Sequence, residues 1–148
     1  MRSNRFEIFS ASTVQLIRAV QQMKARKMAQ YDLKGTNALC LCQILHSDEG
    51  LSAAELSAVA EIDKAQVSRC VAELTARGFV YRDDQAGRRY KQKYRLTEEG
   101  LAVAKDVAEE IAKIQAAVEK NISPEELEAF FDTLNRLCRN FEELLAEN

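Results

Sequence analysis

Apolar residues near the start of the chain recur at helical steps. Phe6, Phe9, Leu16, Ile17, Val20 and Met23 share one stripe, which predicts a helix from residue 6 to about residue 30. The dip at Asp32-Leu33-Lys34-Gly35 ends it. A second helix is predicted from about Asn37 to His46, with Ala38, Leu41, Cys42 and Leu45 on one face, and Ser47-Asp48-Glu49-Gly50 reads as a loop. Ser52-Ala53-Ala54-Glu55 has the spacing of a capping box, in which the serine hydroxyl and the glutamate each satisfy a free backbone N–H. The helix it opens is short, because Asp63 with Gln66 three residues on is a second cap. The next helix therefore starts near Lys64 and turns Val67, Val71 and Leu74 inward. Arg77-Gly78 stops it, with a cation at the negative end of the helix dipole and then a glycine free to turn left-handed.

Beyond Gly78 the period shortens from about 3.6 to 2. Phe79-Val80-Tyr81-Arg82 reads as a strand and Asp83-Asp84-Gln85-Ala86-Gly87 as a turn. The return stretch alternates, with Arg89, Lys91, Lys93 and Arg95 on one face and Tyr90, Gln92, Tyr94 and Leu96 on the other. Thr97-Glu98-Glu99 caps a further helix whose apolar positions are Ala104, Val107, Ile111, Ile114 and Val118. Ser123-Pro124-Glu125-Glu126 joins an N-cap, a first-turn proline and a capping box. The last helix then places Leu127, Phe130, Leu134, Leu137, Phe141 and Leu144 three and four apart. Such a seam suits packing against a second copy of the chain. The alternative is a helical hairpin folded back on its own domain.

Charge sharpens this picture. The net charge is only −2, but residues 63–95 hold nine Lys and Arg against four Asp and Glu, whereas residues 96–148 hold five against thirteen. A basic middle beside an acidic arm points to an anionic partner bound in the middle of the chain. One proline and five glycines among 148 residues fit long regular elements. No apolar run approaches the ~20 residues of a bilayer span, and the first residues do not read as a secretory signal, so the expected compartment is the cytoplasm, with no membrane partner.

The order of elements is helix, helix, short helix, tight turn, helix, basic hairpin, long helix, long helix. This predicts a mainly α fold: a winged helix-turn-helix with a two-stranded β-hairpin wing, flanked by long N- and C-terminal helices. The expected division is 1–34 for the first arm, 35–100 for the winged helix-turn-helix and 101–148 for the second arm. A helix of this kind fits the major groove of duplex DNA, with its N-terminal residues at the base edges. With Val67, Val71 and Leu74 buried, Lys64, Gln66, Ser68 and Arg69 face outward as candidate base and phosphate contacts. On the hairpin, Arg88, Arg89, Lys91 and Lys93 are candidate contacts to the backbone. The rival reading is a winged-helix module that holds a protein partner without sequence-specific DNA binding.

The run Glu55-Leu56-Ser57, then Asp63-Lys64-Ala65-Gln66-Val67-Ser68-Arg69, Glu73-Leu74, Arg77-Gly78-Phe79-Val80, Arg88-Arg89 and Leu96-Thr97-Glu98-Glu99-Gly100 resembles the MarR family of bacterial regulators. The likeness in residues covers roughly positions 51–100. It implies a repressor that binds a palindromic operator as a two-fold homodimer built from both chain ends, relieved by a small-molecule effector or by oxidation. The apolar positions for such an interface are Phe6 and Phe9 in the first arm and Leu127, Phe130, Leu134, Leu137, Phe141 and Leu144 in the last. The sequence departs from the family in two places. Glu61 stands where the turn before the recognition helix often has glycine, and a left-handed non-glycine residue costs on the order of 1 kcal/mol. Ala86 or Gly87 stands where the wing often has an aspartate, which leaves Arg88 and Arg89 both open as the minor-groove residue.

Other chemistry is sparse. His46 follows Cys42 by one helical turn, but it is the one histidine in the chain, and no metal or other cofactor is expected. Cys40 and Cys42 are two apart on a helix and point to different sides, so they do not bridge each other easily. Cys70, on the recognition helix, is the candidate redox residue. With no Gly-rich phosphate loop, no nucleophile elbow and a single histidine, an enzyme is not expected.

Overall fold

The computed structural model describes residues 4–60, 62–84 and 92–147. Within them the elements run α1 (Arg5–Ala29), α2 (Asn37–Leu45), α3 (Ala53–Ala60), α4 (Lys64–Ala76), β1 (Val80–Asp83), β2 (Lys93–Leu96), α5 (Glu98–Val118) and α6 (Pro124–Ala146). The order is the one the hydrophobic pattern predicts. The chain divides into two units, Met1–Ile111 and Ala112–Asn148.

Capping explains the short pieces of the first unit. Ser52 Oγ accepts from Glu55 N–H at 3.1 Å, and the Glu55 carboxylate accepts from Ser52 N–H at 2.8 Å, so both halves of the box form. Asp63 Oδ1 accepts from Gln66 N–H at 2.8 Å and opens α4. Between these helices Ser57 Oγ donates to the Ile62 carbonyl at 2.6 Å and closes the turn. Glu61 lies outside the described residues, as do Gln85 to Lys91 of the wing.

The end of α4 is built by two backbone bonds. Gly78 N–H donates to Thr75 O at 3.0 Å and Phe79 N–H to Leu74 O at 2.9 Å, with Gly78 at φ +75°. This is the Schellman closure, and its left-handed residue is free of strain because it is glycine. It also moves the strand. Phe79 spends its N–H on α4 and its carbonyl on Thr97 N–H at 3.0 Å, so β1 starts at Val80, one residue later than the pattern suggests, and includes Asp83.

β1 and β2 pair antiparallel, from Val80 with Leu96 to Asp83 with Lys93. Leu51 bonds the other edge of β2 through Tyr94, at 2.8 and 3.1 Å. Tyr94 and Leu96 pack on the core while Lys93 and Arg95 take the opposite face, as the period of 2 requires. The step from β2 into α5 explains the Leu-Thr-Glu-Glu-Gly run. Thr97 Oγ1 accepts from Gly100 N–H at 3.0 Å and donates to Gly78 O at 2.6 Å. A Cβ on residue 100 would stand 1.7 Å from the Phe79 carbonyl oxygen, so only glycine fits there.

The core of the first unit gathers Met28, Leu41, Leu56, Val67, Leu74, Val80 and Val107, all at most 2 % exposed. Burying side chains of this size stabilises by about 1.5–3 kcal/mol each. α2 corrects one expectation. Its deeply buried residues are Asn37, Ala38, Cys40, Leu41 and Ile44, whereas Cys42 and Leu45 are half-buried. α2 contacts both α3 and α4, so its buried stripe is wide and is centred nearer Cys40 and Leu41.

In the second unit α6 starts with the complete capping box of Ser123 and Glu126, at 3.2 and 2.8 Å, and Pro124 in the first turn. Its apolar residues cover one face, yet none of its described residues is buried. Phe130 and Phe131 meet edge to face, with centroids 5.4 Å apart.

Candidate nucleic-acid interface

α4 presents its N-terminal half outward. Lys64, Ser68 and Arg69 are exposed and Gln66 is half-buried, while Val67, Cys70, Val71 and Leu74 face the core. Lys64 and Arg69 make no ion pair among the described residues. Among those residues no carboxylate in direct contact offsets their charge. The outward stripe also contains Ala65 and Ala72, both exposed. They carry no polar group, so residue type alone does not single them out. Counting one turn either way from Ser68 and Arg69 finds them, and a methyl there lets a helix approach a groove floor and meet a thymine methyl.

Two polar contacts tie α4 and its C-terminal cap to neighbouring segments. The Arg77 guanidinium donates to Tyr31 O at 2.6 Å and Asp32 O at 2.8 Å, and it lies 5.8 Å over the Phe79 ring. Asn37 Nδ2 donates to Glu73 Oε2 at 2.9 Å, while Asn37 Oδ1 is buried with no hydrogen-bond partner among the described residues. Cys40 on α2 and Cys70 on α4 influence each other's thiol. Hydrogen bonding from Cys40 pulls the Cys70 thiol down to about 7 against the opposing effect of burial. A hydrogen bond from Thr36 and the charge of Arg69 help, and Glu73 opposes. The Cys40 thiol is held far up by the same bond and by burial. Cys42 is raised by burial, with Lys24 opposing.

A polar clip ties the end of α1 to α5. Lys27 Nζ stands 2.7 Å from Asp106 Oδ2, and Tyr31 Oη donates to the same oxygen. That bond, with burial and the carboxylate charge adding to it, pushes the Tyr31 hydroxyl up to about 12.

The base of the wing is braced. Arg95 Nε meets Asp83 Oδ2 at 2.8 Å and its Nη1 donates to Asp48 O at 3.1 Å. Lys93 Nζ stands 3.7 Å from Glu49, and Arg82 Nε 3.2 Å from Asp84. Two of the four cations of the face seen in the sequence are thus partly offset by carboxylates, Arg95 by Asp83 on the neighbouring strand and Lys93 by Glu49 in the loop after α2. Of the other predicted wing contacts, Arg88, Arg89 and Lys91 lie outside the described residues.

The predicted dimer positions are largely uncovered within the chain. Phe6 is 67 % exposed, and Phe130, Leu137, Phe141 and Leu144 are 37–56 % exposed; Phe9, Leu127 and Leu134 are half-buried. Ile8, Leu16, Ile17 and Val20 extend the α1 face, and Leu145, at 73 %, that of α6. No described helix is long and apolar enough to cross a membrane.

With this geometry in view, comparison places the chain among known proteins. The model of the MarR family matches residues 31–89. A MarR family transcriptional regulator from Silicibacter pomeroyi is 23 % identical, with 95 % of this chain and 94 % of that one covered at a TM-score of 0.73. The S. aureus MepR–DNA complex is 17 % identical, covering 89 % and 97 %, at a TM-score of 0.79. A MarR family regulator from Listeria monocytogenes, complexed with a 26mer DNA, is 17 % identical, covering 90 % and 88 %, also at 0.79. A search of curated proteins finds no match. These likenesses run over nearly the whole chain and establish the winged-helix fold, arms included.

Proposed function

We propose that this chain, which belongs to the MarR family through its winged-helix segment, binds duplex DNA as a homodimer and represses transcription from a palindromic operator. The observation that carries the reading is α4. It is an amphipathic helix locked on its inner face, with Lys64, Gln66, Ser68 and Arg69 outward around its N-terminal turns and a basic hairpin next in the chain. Those side chains suit guanine, adenine and phosphate, in the part of a recognition helix that meets base edges. Two neighbours of the same fold are described as DNA complexes, which adds support. The homodimer reading rests on the apolar faces of α1 and α6, since exposed patches of this extent mark interaction surfaces. Release by a small-molecule effector or an oxidant completes the proposal.

The test is selection of bound duplexes from a random pool, followed by titration of the winning site at several salt concentrations. The expected result is a site with two-fold symmetry and a steep fall of affinity with salt. A pool that yields no preferred sequence and a binding signal indifferent to salt favours a protein-holding module instead.

A further inference from the structure

Two helix ends meet at one guanidinium. α1 closes in a Schellman turn: Asp32 N–H donates to Ala29 O and Leu33 N–H to Met28 O, both at 3.1 Å, with Asp32 left-handed at φ +55°. Leu33 and Met28, both buried, supply the apolar contact that accompanies such a turn. α4 closes in the same way at Gly78, and Arg77 is the residue just before that glycine. Arg77 Nη2 donates to Tyr31 O and Nη1 to Asp32 O, and the Asp32 carboxylate lies 3.6 Å from Nη1. The planar fork of arginine thus serves two adjacent carbonyls at once, and its cation sits at the negative end of both helix dipoles. The Phe79 ring lies under the guanidinium, and Phe79 is itself tied through its carbonyl to Thr97 N–H.

We propose that Arg77 is a positioning residue: it fixes the direction of α4 relative to α1, and so sets the distance between the two recognition helices of the dimer and the half-site spacing the protein accepts. This rests on the reading of the chain as a DNA-binding homodimer. α1 is one helix of 25 residues, Arg5–Ala29, about 37 Å long. Its exposed apolar face, from Phe6 to Val20, is the proposed dimer surface. The clasp joins α4 to the far end of that rod, so the pairing of two α1 helices is passed to α4 through the Arg77 fork.

The mechanics follow from where the clasp acts. Apolar burial of Val67, Val71 and Leu74 keeps α4 in the core, but it is non-directional and resists withdrawal more than swing. Hydrogen bonds are directional. Asn37 ties α4 to α2 through Glu73, and Arg77 ties the C-terminal end one turn later. Lys64, Gln66, Ser68 and Arg69 lie toward the opposite end, and the eleven residues from Gln66 to Arg77 span about 16 Å. A swing of about 10° at the clasped end displaces Gln66 by about 3 Å, close to the ~3.4 Å rise of one base pair. Two such helices must enter the groove one helical turn of DNA apart, so an error of this size costs the match to spacing. The rival role for a cation at this place is a phosphate contact, but Arg77 directs donors of both terminal nitrogens at backbone carbonyls.

The experiment uses the full chain and the selected operator, with its half-sites moved one base pair closer or farther apart. Wild type should lose at least about tenfold in affinity on either altered duplex, and Arg77→Ala less than about threefold, with an unchanged salt slope. Arg77→Lys, which keeps the charge without the fork, should fall between them, and it carries the comparison where the alanine variant folds poorly. Tyr31→Phe loses the bond to Asp106 but keeps its carbonyl, so it should keep the wild-type spacing preference. A second readout needs no DNA. Nitroxides on Gln22→Cys and Ala72→Cys, in a chain with Cys42→Ser and Cys138→Ser diluted by unlabelled protein, report the distance from α1 to α4. Arg77→Ala should shift or broaden that distance distribution. A full spacing penalty in Arg77→Ala overturns the proposal, as does an unchanged distance distribution. An equal loss on all spacings with a salt slope lower by about one unit makes Arg77 a phosphate contact and also overturns it. Relaxed spacing in Tyr31→Phe does the same, by tracing the effect to general loosening. A wild type that binds no duplex sinks the DNA-binding reading instead, and the distance distributions then decide whether Arg77 directs α4.

Discussion

α4 and α6 are both amphipathic, and the chain treats them in opposite ways. α4 buries Val67, Cys70, Val71 and Leu74 under α2 and α3. α6 has none of its described residues buried, and Phe131 and Leu145 stand 48 % and 73 % exposed. The difference lies in what each unit can enclose. The Met1–Ile111 unit brings several helices and a sheet around one core, whereas Ala112–Asn148 has α6 and the end of α5. A piece below about 40 residues rarely holds a core unaided and relies on oligomerisation or another staple. The same 3,4 spacing thus means a finished core in α4 and, on our reading, an unfinished interface in α6.

The strongest attempt to break that contrast strikes α6. Leu137→Glu with Phe141→Glu should convert a dimer at micromolar concentration into monomer or aggregate and abolish tight operator binding. Sedimentation of the variant and of the wild type decides it, and a wild type that is already monomeric removes the contrast. In α4, Leu74→Ala should cost about 2–5 kcal/mol of unfolding free energy, because a fully buried leucine leaves a cavity. Urea denaturation at fixed protein concentration reads this, and a loss below 1 kcal/mol shows a core less complete than described.

The clip between α1 and α5 adds a pH-dependent test within the same first unit. The folded-state value of Tyr31 is raised to about 12, so its contribution is fully present below the unfolded value of about 10 and is lost as pH rises through 12. Tyr31→Phe should lower stability by about 1.5–3 kcal/mol at neutral pH, as expected for a hydrogen bond to a charged group. The gap between the two proteins should close between pH 10 and 12. A gap that persists at the upper end excludes the hydroxyl as its source.

On the outer face of α4, Arg69→Ala and Gln66→Ala should each cost about 1–3 kcal/mol on the preferred site and relax its sequence preference. Equal losses on random duplex would demote both to phosphate contacts. Smallest in sequence choice is the wing. Arg88→Ala with Arg89→Ala should weaken every duplex and flatten the log–log salt dependence by about two units. Lys105→Ala and Lys113→Ala serve as controls, and a variant indistinguishable from them makes the wing tip ordinary solvated surface.

Much of this molecule is legible from local signals because those signals act locally. Asp63 and Gln66, Ser123 and Glu126, and Arg77 and Gly78 are neighbours in sequence, and each sets a helix end by bonds that span three or four residues. The burial of Val67, Val71 and Leu74 follows equally from spacing. Legibility fades where partners are distant. Nothing near Arg95 in the chain announces Asp48, and nothing near Lys93 announces Glu49, so the hairpin's cations read as one uniform face. The covered side of α2 differs by about one position from the side its spacing suggests, because its neighbours α3 and α4 decide which side is covered.

The sequence by itself determined the element order, the helix boundaries and the buried stripe of α4, since periodicity and capping need only a few consecutive positions. Tertiary structure alone decided which polar groups share a contact. It joined Tyr31 to Asp106, Arg77 to Asp32 and Asn37 to Glu73. The physical reason is that the register between two packed helices follows from the shape of the whole core, a sum over many apolar contacts that no short stretch of sequence contains.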